Sequence, residues 1–409
     1  MRKVMRRLIN STWGVVPVPA FLVAVTCLTM ILAAANISST AAQAALAALP
    51  MDVPAPAENP TTPARVALGR LLFWDPVLSG QKDVACATCH HPDLGYSDGL
   101  DLSIGANGVG LGTARAFDPA HPSPLVKRNS QSILNVAFNG LGSGAGATAT
   151  GAPMFWDLRV TSLEAQALEP LKALEEMRGS TYPEDGAIPA VLLRLNAIPE
   201  YRRLFAAAFD SSEAVNERNL ARALAAFQRT LVAGNSPFDR YMRGDKSALG
   251  PDQLRGMERF QSAGCINCHS GPMLSDFSTH VLGVPDSPKL PQSDSGADNK
   301  YAFRTPSLRN LSVTAPYMHN GAFATLPQVL DFYQRISRGG GRGGGRGGRG
   351  LNAHVSREQI DPLARRLNMR GRGQREIIAF LRSLDDPGFD RTIPGAVPSG
   401  LPVGGRLQR

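Results

Sequence analysis

Two five-residue motifs constrain this chain more than anything else in it: Cys86-Ala87-Thr88-Cys89-His90 and Cys265-Ile266-Asn267-Cys268-His269. Both read C-x-x-C-H. Two thiols at that spacing can add to the two vinyl groups of one porphyrin, and the imidazole that follows then faces the iron. These four are every cysteine of the chain except Cys27. A tetrahedral zinc site and disulfides within each Cys-x-x-Cys are the alternatives, and the disulfides leave both histidines unexplained. We read Cys86, Cys89, Cys265 and Cys268 as the attachment points of two covalent c-type haems, with His90 and His269 as proximal iron ligands.

The segment before each motif repeats as well. Ala67-Leu68-Gly69-Arg70-Leu71-Leu72-Phe73 leads into the first, and Leu254-Arg255-Gly256-Met257-Glu258-Arg259-Phe260 into the second. Each reads as a helix entering a cysteine motif, so the chain carries a diverged internal duplication. Apolar residues at helical spacing predict core helices over 187–232 (Val191, Leu195, Phe205, Leu220, Leu224, Phe227), and Ile377, Phe380, Leu381 and Leu384 predict another before Pro387. β-Branched alternation is sparse. The expected fold is mainly α, with two cytochrome c-like domains, one covalent haem in each, and long loops. The expected boundaries are a signal peptide and linker, or an N-terminal anchor, at 1–50; an N-terminal haem domain at 51–235; a second haem domain at 236–395 with a Gly-Arg insertion at 338–350; and a flexible tail at 396–409.

Arg2, Lys3, Arg6 and Arg7 precede an apolar run over 15–35 that gives way to Ala42-Gln43-Ala44, the layout of a secretory signal peptide. The rival is an uncleaved anchor, because the run approaches the length of a bilayer span. Export predicts a periplasmic protein, with a membrane partner only if the segment is retained. Those four basic residues, with Arg338, Arg342, Arg346 and Arg349 of the Gly-Arg tract, account for all but one unit of the formal charge of +9. The rest is nearly neutral, which argues against a nucleic-acid partner.

Further motifs carry a family resemblance: Arg128-Asn129-Ser130-Gln131-Ser132-Ile133-Leu134-Asn135, Phe155-Trp156-Asp157, Leu163-Glu164-Ala165-Gln166-Ala167, Thr305-Pro306-Ser307-Leu308-Arg309-Asn310 and Tyr317-Met318-His319-Asn320-Gly321. With the haem motifs, these resemble the bacterial di-haem cytochrome c peroxidases and their MauG relatives over nearly the whole chain after the leader. The resemblance implies that peroxide reacts at the N-terminal haem, that of His90, while the haem of His269 stores or relays an oxidising equivalent. It implies that Trp156 lies between the haems, although a core aromatic reads the same in sequence. It places a glutamine, a proline and a glutamate over the first haem at Gln166, Pro170 and Glu176. Glu176 would move the proton that peroxide heterolysis requires, Gln166 would hold peroxide or water, and Pro170 would limit space. The family has these residues ten, fourteen and twenty positions after the tryptophan, as here after Trp156, and without that spacing Glu176 is a solvated helix residue equal to Glu175. The resemblance also implies one calcium ion on Asn129, Thr314 and Pro316, where Asn129 otherwise caps a turn.

Two departures from the usual peroxidases follow. Many members close the resting first haem with a histidine from the loop after its motif, yet residues 92–120 contain no His, Met or Lys. The first haem is therefore expected to be open, with His121 as the nearest other candidate. The usual methionine ligand of the second haem is replaced by Tyr333, as in the MauG group, with Met318 as the competing donor; a phenolate lowers haem potential. His319 falls in a loop beside that site. The function implied is reduction of hydrogen peroxide to water with electrons from a small cytochrome c or cupredoxin. MauG-like oxidation of residues on a partner protein and simple electron transfer are the alternatives, and a homodimer is allowed.

Overall fold

Each cysteine motif is preceded by a helix that a glycine lets lie against the backbone of a second helix. The computed structural model describes residues 45–142, 149–339, 350–368 and 373–408. In chain order its helices are α1 (Pro63–Trp74), α2 (Cys86–Cys89), α3 (Leu163–Gln166), α4 (Glu169–Lys172), α5 (Ala187–Ala197), α6 (Pro199–Phe209), α7 (Glu217–Gln228), α8 (Pro237–Met242), α9 (Pro251–Ser262), α10 (Leu326–Ser337), α11 (Pro362–Arg365) and α12 (Gln374–Arg382). The sheet content is three antiparallel ribbons: β1 (Gly108–Val109) with β2 (Ala116–Phe117), β3 (Pro153–Met154) with β4 (Val160–Thr161), and β5 (Thr279–Val281) with β6 (Ala302–Arg304). The fold is mainly helical with long connections. The helices expected over 187–232 are α5, α6 and α7, and the one expected before Pro387 is α12.

Helix α1 begins at Thr62, whose side chain accepts a hydrogen bond from Arg65 N, with Pro63 preset for the first helical position. It packs on α7 through Gly69, where a Cβ would fall 2.0 Å from Ala223 O. In the second half α9 packs on α12 in the same manner, and a Cβ on Gly256 would fall 1.9 Å from Glu376 O. One turn further along, Phe73 meets Phe227 with ring centroids 5.1 Å apart at 59°, and Phe260 meets Phe380 at 5.2 Å and 56°. Gly69 and Phe73 align with Gly256 and Phe260, so the sequence repeat is also a repeat of packing. Burying each ring is worth roughly 1.5–3 kcal/mol, which makes these crossings the anchors of two cores. One core centres on Leu68, Leu72, Leu224 and Phe227, the other on Phe238, Leu330, Ile377 and Phe380.

Residues 396–408, expected to be a flexible tail, pack instead. Val397, Leu401, Val403 and Leu407 join the first core. The backbone is tied in by Gly404 N to Trp74 O at 2.7 Å and Arg406 N to Asp83 O at 2.9 Å. Thr88, inside the first cysteine motif, donates its hydroxyl to Gly404 O at 3.0 Å. The apolar positions of the tail are separated by Pro and Gly, so they show neither helical nor strand periodicity, and only their tertiary partners reveal them. Most of the expected signal segment, residues 143–148 and most of the Gly-Arg tract lie outside the described residues. No helix among the described residues is long and apolar enough to cross a membrane.

Candidate active site

Two cavities meet at Trp156. The smaller, about 200 Å³, is lined by Cys86, Cys89 and His90, and the larger, about 240 Å³, by Cys265, Cys268 and His269. Trp156 lines both. Its indole Nε1–H donates to Asn129 O at 3.0 Å, and its backbone carbonyl accepts from Arg304 N at 2.7 Å, so the residue is tied through both ring and main chain.

The two histidines are oriented alike. His90 Nδ1 lies 3.1 Å from Tyr96 O, and His269 Nδ1 lies 3.0 Å from Leu274 O. A carbonyl can only accept, so each Nδ1 carries the proton and each Nε2 keeps its lone pair for a metal. Burial lowers the pKa of both imidazoles, which keeps them in the neutral, ligating form. In both motifs the histidine N donates to the carbonyl of the first cysteine, Cys86 at 3.0 Å and Cys265 at 2.9 Å, so one tight turn presents two thiols and an imidazole together. That donor set, two thiols and an imidazole with a free Nε2 in each turn, fits a covalently bound haem.

The smaller cavity also gathers Gln166 from α3, Pro170 from α4 and Glu176 from a π-helical turn, Leu174–Arg178. The turn is clamped: Ala106 N donates to Glu176 O and Gly80 N to Met177 O, both at 2.8 Å. At Gly105 a Cβ would fall 2.3 Å from Glu176 O, so this close approach needs glycine. Burial, then the neighbouring Glu175, pushes the Glu176 carboxyl up to about 7, against the opposing pull of Arg159. A carboxyl poised there can take and return a proton near neutral pH. Arg159 itself lines the cavity and stacks on Phe155, with its guanidinium carbon 3.6 Å from the ring centroid.

The larger cavity holds both candidate donors, Tyr333 from α10 and Met318. Burial, then the adjacent Cys268 and Cys265 sulfurs, raises the Tyr333 phenol above its ordinary pKa, so a strong local cation is needed to ionise it. Asn129, Thr314 and Pro316 border the same cavity, and Asn129 N donates to His319 O at 2.7 Å. His319 stacks on Phe303 at 3.6 Å and meets Trp156 edge-on at 6.5 Å; burial pushes its pKa down to about 3, leaving it neutral. His121 lies outside both cavities, with its side chain mostly exposed beside Asp118.

Sequence reasoning missed several residues here. Met154 and Met177, both buried, line the smaller cavity as sulfur donors from outside the 92–120 loop. His280, on β5, is clasped by Asp361 at 2.7 Å and Asp276 at 2.9 Å beside the second motif. Arg304 lines both cavities. The only early signal was position: Met177 directly follows Glu176, and Arg304 directly precedes Thr305-Pro306.

A family model described as di-haem cytochrome c peroxidase matches residues 63–247. The chain is 38% identical to the methylamine utilization protein MauG of Methylorubrum extorquens, covering 88% of this chain and 91% of that protein. It is 34% identical to the cytochrome-c peroxidase IdrP1 of a Pseudomonas species, covering 88% of this chain and 92% of that one. Among solved structures, a MauG-like protein associated with microbial copper homeostasis superposes with a TM-score of 0.66 at 28% identity, covering 83% of this chain and 95% of the other.

Proposed function

The chain belongs to the di-haem cytochrome c peroxidase family, which includes MauG, and from that premise we propose that it reduces hydrogen peroxide to water at the smaller cavity, using electrons delivered through the larger one. The observation that carries this reading is the convergence of Gln166, Pro170 and Glu176 on the cavity that holds His90. His90 with Cys86 and Cys89 would hold one haem, and His269 with Cys265, Cys268 and Tyr333 the other. Bound haem supplies the redox chemistry of O–O cleavage.

The protein's own part is protonic and steric. Gln166 holds peroxide by hydrogen bonds while Pro170 restricts where it can lie. Glu176, ionised, accepts a proton from one peroxide oxygen and returns it to the departing oxygen, so that water leaves rather than hydroxide. Trp156, an aromatic side chain that lines both cavities, offers a path for electrons from one to the other. Asn129, Thr314 and Pro316 would hold a calcium ion at the larger cavity's rim, supplying the oxygen donors that suit a hard cation. Two haem domains, roughly 51–235 and 236–395, a periplasmic setting and a small cytochrome c or cupredoxin as donor complete the proposal.

A MauG-like oxidation of a partner protein is the second reading, favoured by Tyr333 in the larger cavity and by the likeness to MauG. Stopped-flow spectroscopy after adding peroxide to the oxidised protein, followed by a reduced small cytochrome, separates the two. Rapid oxidation of the cytochrome with turnover supports the peroxidase. A peroxide-oxidised state that persists in the presence of every small donor supports the partner-protein reading, and absence of any reaction with peroxide contradicts both.

A further inference from the structure

Among the described residues, two buried arginines have no carboxylate partner, Arg115 and Arg304, and of these Arg304 alone also keeps a nitrogen without any hydrogen bond. Arg304, on β6, is 7% exposed and lines both cavities. Its Nη2 donates to Gln131 Oε1 at 3.0 Å and its Nη1 reaches Pro153 O at 3.5 Å, both neutral acceptors. Its Nε is buried with no partner. The other buried arginines are accounted for: Arg128 pairs with Asp157 and Asp294, Arg229 with Glu164 and Arg309 with Asp239, while three backbone carbonyls satisfy Arg115. No carboxylate among the described residues pairs with Arg304, and burial alone lowers its pKa to about 10.

Burying an unpaired, incompletely hydrogen-bonded charge is strongly unfavourable, and a bound anionic group would remove that cost. A guanidinium presents a planar fork that matches carboxylates in pairs. Arg304 stands where the two cavities meet, with its backbone N bonded to Trp156 O, and the group each cavity fits carries carboxylate arms.

We propose that Arg304 is the shared counter-ion of the carboxylate arms of both haems, fixing their orientation from one point beside Trp156. This rests on the reading that each cavity holds a haem. A single cation shared by two redox centres has a signature that a local structural role lacks: it raises the potential of both. Without it the oxidised, more positive state of each haem is favoured, and both potentials fall together.

The test is spectroelectrochemical titration of the full-length holoprotein and its Arg304→Gln and Arg304→Lys variants, with mass spectrometry counting attached haems. A wild-type chain without two haems would defeat the haem reading itself. With two haems present, Arg304→Gln is expected to lower the potential of both by about tenfold in the one-electron equilibrium, ~59 mV each. Arg304→Lys, which keeps the charge and loses the fork, is expected to restore most of that fall while moving the propionate-bending bands of both haems in resonance Raman. A fall at one haem only, no fall at either, or unmoved bands in the lysine variant would overturn the proposal. If the glutamine variant does not accumulate, the Raman bands of the lysine variant decide alone.

Discussion

The two cysteine-motif regions share a frame and differ in what the frame encloses. Gly69 with the Phe73–Phe227 pair and Gly256 with the Phe260–Phe380 pair make helix crossings with the same close approach and ring-pair geometry, and both histidines lock Nδ1 to a backbone carbonyl. The divergence lies in the inserted segments. Residues 156–178 bring a glutamine, a proline and a carboxyl to the first cavity, whereas residues 317–333 bring a sulfur and a phenol to the second. On the proposed function, the duplicated scaffold would supply two haem-binding turns, and the segments laid over each turn would set one for proton chemistry and the other for electron storage.

The largest effect should come from breaking that division at Glu176. Glu176→Gln, isosteric but unable to accept a proton, should slow the reaction with peroxide by about 10²–10⁴-fold and leave the reduction of the second haem unchanged, as read by stopped flow. The pH profile carries the same signature. Because the carboxyl lies near 7, the ionised base is depleted as pH falls below that value, and the wild-type rate should drop about tenfold per unit there. The glutamine variant should lose this limb. An unchanged limb would remove Glu176 from the proton path.

A smaller effect tests the shared frame. Gly69→Ala and Gly256→Ala each drive a Cβ into a facing carbonyl, and each should cost about 1–3 kcal/mol in denaturant unfolding. Similar losses would sharpen the equivalence of the two crossings, and a neutral substitution at either would break it. Smaller still is the exposed cluster of Arg255 and Arg259 on Glu376, which has no counterpart at the first crossing. Glu376→Gln should change stability only slightly in denaturant unfolding, and less in high salt, because solvent screens exposed ion pairs.

The parts legible in the sequence are those set by spacing along the chain. Two thiols and an imidazole in one turn need only five residues, whereas Gln166, Pro170 and Glu176 were reached only through the family resemblance, which could carry them because they lie in one short segment after Trp156 that lines a single cavity. Helices α5, α6, α7 and α12 were legible because their apolar residues recur at helical period. Features made by partners far apart in sequence were not. The Phe227 and Phe380 ring pairs, the docking of residues 396–408 on Trp74 and Asp83, and the burial of Arg304 without an acid all depend on contacts across roughly a hundred residues or more. Met154 and Met177 escaped notice because the loop searched for a ligand was not the segment that forms the cavity wall.

The central claim is that one iron site is open and the other closed by Tyr333. The electron paramagnetic resonance spectrum of the fully oxidised protein tests it most directly, read beside that of Tyr333→Phe. The account predicts one high-spin and one low-spin ferric signal in the wild type, with the substitution altering the low-spin signal alone. Two low-spin signals, or a low-spin signal indifferent to Tyr333→Phe, would contradict it and turn attention to Met154 and Met177 at the first site or Met318 at the second.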